Sequence, residues 1–220
     1  IAGMKWSTEL LMMDGPETLS DRQKKYIDRL LISIKRMAVL VDDFLRVSRF
    51  ELGNFKAENT TVNLTELFDG VIEELATRVK QKNLTIKTYY AEGVTTIESD
   101  ENLLRMIVTN LYSNATKYTR ENGTIHIGYS IKDGDMVISV ADNGMGIPEA
   151  DQEQIFSKLY RATNAVRNVP DGTGLGLYIL REAVAVLDGQ VEFTSVENEG
   201  ATFEVFLPLS GVDVEKFDAS

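Results

Sequence analysis

Three short stretches carry the residue types from which a site for a polyanionic ligand could be assembled. In the first, Asn110, Asn114 and Lys117 recur at helical spacing, and at about 100° per residue they fall within roughly 60° of one another. Amide oxygens are hard, neutral ligands that suit a magnesium ion already carrying phosphate oxygens, and the lysine ammonium can screen a polyphosphate. The second stretch is Asp142-Asn143-Gly144-Met145-Gly146-Ile147-Pro148. Its glycines permit close backbone approach, and a carboxylate at a strand end can accept a hydrogen bond from adenine's amine, where guanine would present a carbonyl. The third, Asp171-Gly172-Thr173-Gly174-Leu175-Gly176-Leu177, opens a helix, whose unpaired N–H groups form an anion site. Taken singly, each also has a plain structural reading: a solvated helix face, a tight turn, a glycine-rich helix start. The third is neither a Walker A loop, which needs GxxxxGK[ST], nor a dinucleotide fingerprint, which needs a strand-helix-strand context. Lys158, Arg161 and Arg167 lie between the second and third stretches and read as a mobile lid with local positive charge.

These residues need elements to hold them together. Asn63 and Glu66 have capping-box spacing ahead of a helix reaching about residue 82, and residues 84–90 and 95–98 read as strands. Asp100 caps a helix to about residue 118, on which Leu104, Val108, Leu111 and Ala115 form the packing face beside the two asparagines. A hairpin follows, with Ile125, Ile127, Tyr129 and Ile131 alternating, a turn at Asp133-Gly134 and a return over 136–141. One short helix is expected near Gln154, a stronger one over 175–187, and strands over 190–196 and 201–208. The pattern predicts an α+β fold, with helices on one face of a mostly antiparallel sheet. The acidic groups of 149–153 read as solvated surface, and residues 210–220 as a frayed tail.

Upstream, Ile1, Met4, Thr8 and Leu11 keep helical spacing until Asp14-Gly15-Pro16. Ser20 then caps a helix whose Ile27, Leu30, Ile34, Met37, Val41, Phe44 and Ser48 alternate threes and fours before Gly53 stops it. Trp6, Met12, Met13 and Met37 are expected to pack helices. The apolar stripes have little nearby to cover them, so a second hairpin completing a four-helix bundle in a homodimer is the economical solution; the alternative is packing on the following domain. The expected division is a hairpin over 1–53, a linker and first strand over 54–62, a second domain over 63–209 and the tail. The opening Ile1-Ala2-Gly3-Met4-Lys5-Trp6 carries no helix start signal, which suggests a piece of a longer protein.

Composition narrows the function classes. The 220 residues are 43% hydrophobic, enough for a sizeable core. The absence of cysteine excludes disulfides, zinc-cysteine sites and thiol catalysis, and a single histidine, His126, excludes a histidine-rich metal centre. With 23 Lys+Arg against 34 Asp+Glu the formal charge is −11, which argues against nucleic acid or an anionic membrane as partner. No run approaches the roughly 18 apolar residues of a membrane span and no signal peptide is visible, so a soluble, cytoplasmic chain with no direct membrane insertion is expected.

In this order and context, Asn110-Leu111-Tyr112-Ser113-Asn114-Ala115-Thr116-Lys117-Tyr118-Thr119, residues 142–147, residues 155–161 and residues 172–177 resemble the asparagine box, first glycine box, phenylalanine box and second glycine box of sensor histidine kinases. The resemblance continues through Gly200-Ala201-Thr202-Phe203 and back through Val47-Ser48-Arg49-Phe50-Glu51 into the hairpin, which is similar to that family's dimerisation and histidine-phosphotransfer helices. It implies a two-layer Bergerat-type α/β sandwich binding ATP or ADP with Mg²⁺. Asp142 would contact the adenine amine, supported by Thr202, and Asn114 would bind Mg²⁺ with help from Asn110. Lys117, Tyr118, Lys158, Tyr160 and Arg161 would contact nucleotide, as would Gly144, Gly146 and Ile147. The phosphates would lie against Gly172, Thr173, Gly174, Leu175, Gly176 and Leu177. It further implies transfer of the γ-phosphate to a histidine on the first hairpin helix, then to an aspartate on a response regulator receiver domain. The family's His-Glu-Leu-Arg-Thr-Pro box is missing from this sequence, so no catalytic residue is assigned in it. His126 alternates out of phase with Ile125 and Ile127 and is expected to face solvent. Leu159 replaces a common aromatic and Asp188 a common histidine. The rival readings are a nonenzymatic nucleotide-sensing dimerisation module and a hydrolytic ATPase of the same superfamily. The latter uses an acidic residue in the asparagine motif, which residues 111–115 lack.

Overall fold

The computed structural model describes residues 2–13, 19–53, 55–169 and 172–209. The expected turn at 14–16, Asp171 and the tail over 210–220 lie outside the described residues, as do the side chains of Leu11, Met12 and Met13. The chain divides into two compact units, residues 1–52 and 53–220.

The first unit is a pair of helices, α1 (Ala2–Met13) and α2 (Asp21–Glu51). Ser20 starts α2 with a full capping box: its hydroxyl accepts from the Gln23 N–H, and the Gln23 side chain accepts from the Ser20 N–H at 2.8 Å. Ile27, Ile34 and Val47 are buried, whereas Leu30 (56%), Met37 (48%), Val41 (45%) and Phe44 (67%) of the same stripe are exposed. Trp6 is 66% exposed. Trp6 and Met37 are thus exposed in the single chain, since two helices cover only part of each other's apolar arc.

The second unit is built on a five-stranded sheet in the order β2-β4-β5-β7-β6. Its strands are β2 (Thr85–Tyr90), β4 (Thr124–Lys132), β5 (Asp135–Asp142), β6 (Gln190–Val196) and β7 (Gly200–Pro208). Only the β2–β4 pair is parallel. The first strand, β1 (Thr60–Asn63), pairs instead with β3 (Thr96–Ser99) in a separate two-stranded ribbon. The helix expected from residue 63 to 82 is two, α3 (Leu64–Glu74) and α4 (Ala76–Gln81). At Leu75 the backbone leaves helical geometry and its N–H bonds the carbonyl of Ile72 instead of continuing the ladder.

The long helix α5 (Glu101–Tyr118) is capped by Asp100, whose carboxylate accepts from the Leu103 N–H at 3.0 Å and from the Glu58 N–H at 2.8 Å. With α3 and α8 (Gly176–Val186) it buries Phe68, Leu104, Ile107, Leu111 and Leu180 against the sheet face that carries Ile125, Ile127, Ile138 and Val205. The opposite sheet face carries His126, which is exposed as its phase predicts. The result is a two-layer α/β sandwich. Between β5 and α8 lie α6 (Glu149–Gln152) and α7 (Thr163–Asn168). The single short helix expected near Gln154 is thus replaced by one helix before it and one after.

Candidate nucleotide site

The site is built where the C-terminal half of α5, the end of β5 and the start of α8 converge. Asn110 donates its amide N–H back to the Met106 carbonyl at 2.8 Å, which turns its oxygen outward. A Cβ added at Gly176 would lie 2.9 Å from that oxygen, so only glycine lets α8 start this close to α5. Asn114, one turn further along, is half-buried. One turn more brings Lys117, whose ammonium lies 5.2 Å over the Tyr118 ring. Burial, with the nearby Arg161 and Arg78 charges, pushes the Lys117 amine down to about 8.

Gly172 lies against this cation pair. A Cβ there would sit 2.7 Å from Lys117 Nζ and 3.2 Å from Arg161 Nε. Arg161 also hydrogen-bonds Tyr118, whose phenol burial pushes up. The Arg161 guanidinium donates to the carbonyls of Ala165 and Val169, tying the arginine to α7. Among the described residues no side chain caps α8, and Thr173 Oγ1 accepts from the Leu175 N–H at 3.2 Å just before it. Gly174 has φ +71° and would clash as alanine with the Leu159 and Tyr160 backbone. Leu175 is buried and Leu177 half-buried at the helix start. Two cations close to a glycine that leads into a helix start are suited to receive negative charge in an otherwise acidic chain.

At the end of β5, Asp142 Oδ1 accepts from the Gly144 N–H at 2.8 Å, leaving Oδ2 for a further donor. Burial pushes this carboxyl up to about 6. Gly144 fits because its hydrogen faces the Tyr118 carbonyl, 2.5 Å from where a Cβ would stand. Gly146, at φ +58°, packs on the Val196 carbonyl. The Ile147 N–H donates to Ser195 Oγ at 2.9 Å, and Gln152 bridges the carbonyls of Ile147 and Ser195.

Two sequence expectations, on Thr202 and on Asp151, need correction. Thr202 pairs with Ala141, one residue out of phase with Asp142, and alternation places it on the other sheet face. Ala201, opposite Asp142 in the register, takes the place beside the carboxylate and brings no hydrogen-bonding group. Lys158 is exposed, with its ammonium 4.8 Å over the Tyr178 ring in the first turn of α8. Among the acidic groups read as solvated, Asp151 is buried, at 5% exposure.

Asp151 is a hub that sequence spacing did not signal. It accepts from the Tyr160 hydroxyl at 2.6 Å on one oxygen and from the Thr163 N–H and hydroxyl, both at 2.8 Å, on the other. The Tyr160 hydroxyl is therefore taken by Asp151. Asn164 adds a bond to the Gly146 carbonyl at 2.9 Å. Together they tie α7 to α6 and to the glycine turn. The Tyr160 hydrogen bond, chiefly, holds the Asp151 carboxyl below the usual carboxylate range. Its stabilising effect is thus present above the unfolded value of about 3.9 and lost as pH falls through the lower folded value. Asp151→Asn is expected to lower the melting temperature by roughly 5 °C at pH 7, with the difference from wild type closing in strong acid. Equal melting curves at pH 7 would count against the hub.

The helix-backed sheet and this convergence of asparagines, cations and glycines define an ATP-binding ATPase domain of the α/β-sandwich class. Residues 99–211 match the family described as histidine kinase-, DNA gyrase B- and HSP90-like ATPase, and the chain belongs to that family. It is 30% identical over 210 residues to the circadian input-output histidine kinase CikA of Synechococcus elongatus, covering 94% of this chain and 28% of CikA. It is 32% identical over 176 residues to the adaptive-response sensory kinase SasA of a Synechocystis strain, covering 80% of this chain and 45% of SasA. The chain thus spans under half of these relatives. The structure of full-length ShkA in complex with AMPPNP superposes with a TM-score of 0.78 at 28% identity, over 96% of this chain and 43% of ShkA. Histidine kinase ThkA in complex with the response regulator TrrA gives 0.68 at 25% identity, over 92% and 57%.

Proposed function

We propose that this chain is the catalytic ATP-binding part, with part of the dimerisation hairpin, of a sensor histidine kinase. It binds Mg·ATP and delivers the γ-phosphate to a histidine on its parent protein's dimerisation helix. The observation that carries this reading is the meeting of α5 with the start of α8: Asn110 against Gly176, and Lys117 with Arg161 against Gly172. Neutral oxygens, cations and free N–H groups then surround one volume, as phosphoryl transfer requires of a domain that positions and neutralises rather than reacts.

In this reading Asp142 accepts the adenine amine on Oδ2, and residues 144–147 with Tyr118 line the base. Lys117 and Arg161 screen the phosphates, whose oxygens are received by the N–H groups around 172–177. Asn114, with Asn110 beside it, holds Mg²⁺. Among the described residues no group of three or more His, Asp or Glu could cage a metal, which fits an ion that arrives with its phosphate oxygens. When bound, Mg²⁺ would neutralise negative charge on the phosphate oxygens. Lys158, over the Tyr178 ring in the first turn of α8, contacts the nucleotide from the lid, and Thr202 has no place in the pocket.

The exposed Leu30, Met37, Val41 and Phe44 of α2 favour a homodimer in which two hairpins bury these residues in a four-helix bundle. A response regulator receiver domain would take the phosphoryl group from the histidine, as the ThkA–TrrA complex suggests. No helix among the described residues is long and apolar enough to cross a membrane, which suits a cytoplasmic catalytic segment whatever anchors its parent.

The decisive experiment extends the chain upstream to include the start of helix one and incubates it with γ-labelled Mg·ATP. Acid-labile, alkali-stable label on an upstream histidine is expected. Tight ATP binding without label would turn the reading to a nonenzymatic nucleotide sensor, and rapid steady-state release of phosphate to a hydrolytic ATPase.

A further inference from the structure

The carbonyls at the C-terminal end of α5 can be accounted for one by one. Ala115 O receives the Thr119 N–H at 2.9 Å and its hydroxyl at 2.6 Å. Arg120 O receives the Gly123 N–H at 3.1 Å. Between them, three of the four carbonyls are filled by a single side chain from outside every motif. Lys82 Nζ donates to Thr116 O at 3.0 Å, Lys117 O at 2.7 Å and Thr119 O at 2.8 Å. The one carbonyl that Lys82 leaves is Tyr118 O, which receives the Met145 N–H of the glycine turn at 3.2 Å.

This arrangement uses all three ammonium protons of Lys82 and places its charge at the negative end of the α5 dipole. The lysine is held from its own backbone as well, since its carbonyl accepts from the Asn122 N–H at 2.9 Å. Gly144 and Tyr118 are in contact at the same point, where a Cβ on Gly144 would fall 2.5 Å from Tyr118 O. The glycine turn that begins with Asp142 therefore rests on one particular carbonyl.

We infer that Lys82 is a positioning residue for base recognition: by filling the carbonyls of Thr116, Lys117 and Thr119 it reserves that of Tyr118 for Met145 and so sets where Asp142 meets the adenine amine. Without its ammonium, three carbonyls at the helix end lose their donor. They compete with Tyr118 O for the Met145 N–H, and the turn loses its single register. A tetrahedral ammonium suits three converging carbonyls in a way that a planar group does not.

The inference rests on the adenine role of Asp142, so the test compares two nucleotides in one protein. Affinities for ADP and GDP are measured by calorimetry, well below the melting temperature, for wild type, Lys82→Met and Lys82→Gln. Lys82→Met keeps the aliphatic stem and removes the donors; Lys82→Gln keeps two donors and serves if the methionine variant does not fold. In Lys82→Met the ADP affinity and the ADP-over-GDP preference are both expected to fall about tenfold, the worth of one buried hydrogen bond, with Lys82→Gln between. A purely structural lysine would lower the melting temperature and leave the preference of the folded protein unchanged, and that result in either variant overturns the inference. Wild type that fails to prefer ADP would instead remove the adenine reading of Asp142.

Discussion

Asp142→Asn is expected to weaken ADP binding by about 30-fold or more while making the ligand-free protein more stable above neutral pH. Both effects come from replacing one oxygen with an amide nitrogen. The buried carboxyl stands at about 6 against an ordinary 3.8. A group raised in this way contributes stability that is complete below the unfolded value and lost as pH rises through the folded one. By pH 8 the ionised carboxylate costs the fold about 3 kcal/mol, at about 1.4 kcal/mol per pH unit, and asparagine removes that cost. Thermal melts should show the variant ahead of wild type at pH 8 and level with it near pH 4. Binding moves the other way. Oδ1 already serves the Gly144 N–H, so the one oxygen of asparagine must serve both donors or turn its own N–H₂ toward the adenine amine. ADP affinity of the wild type should likewise decline as pH falls through about 6. Unchanged calorimetric affinity in the variant would remove Asp142 from the base site.

Asn114→Ala is expected to reduce histidine labelling in the longer chain by about a thousandfold, from the several kcal/mol that metal neutralisation supplies to phosphoryl transfer. ADP affinity in the presence of a chelator should change little, because the adenine and cation contacts remain. The Mg²⁺-dependent gain in ADP affinity should be lost. Asn110→Ala should do less, since that amide is already committed to the Met106 carbonyl at 2.8 Å and acts through the one oxygen facing Gly176. A Mg²⁺-dependent gain that survives in Asn114→Ala would place the metal elsewhere.

The stability cost at Asp142 has a functional sense. A carboxylate that opposes folding is retained where a solvated one would be harmless, and its neutral replacement is expected to be the more stable protein without nucleotide. Such a trade is common where activity needs a polar group held out of water. The Lys117 amine, pushed down to about 8 by burial and by the nearby Arg161 charge, follows the same logic with the opposite charge, and in the proposed reading bound phosphate would relieve it.

Much of the site could be read along the chain, because its chemistry is carried by contiguous runs whose periods are local. Helical spacing aligned Asn110, Asn114 and Lys117, a strand end presented Asp142, and glycines marked the two turns. The capping aspartate of α5, the solvent-facing His126 and the turn at Asp133-Gly134 follow from the same short-range rules of dihedral preference and alternation. What sequence could not decide was every feature that depends on which distant segments become neighbours. The side of the sheet taken by Thr202 is set by the β5–β7 register, and a shift of one residue would have reversed it. Asp151 looks like its exposed neighbours Glu149 and Glu153 until Tyr160 and Thr163 close over it. Lys82 is one cation among many until the end of α5, 34 to 37 residues away in the chain, brings it three carbonyls. Residue type and period act over a few residues and specify the chemistry on offer; only the pairing of remote backbone segments determines which of those groups are desolvated, partnered and aimed at one another.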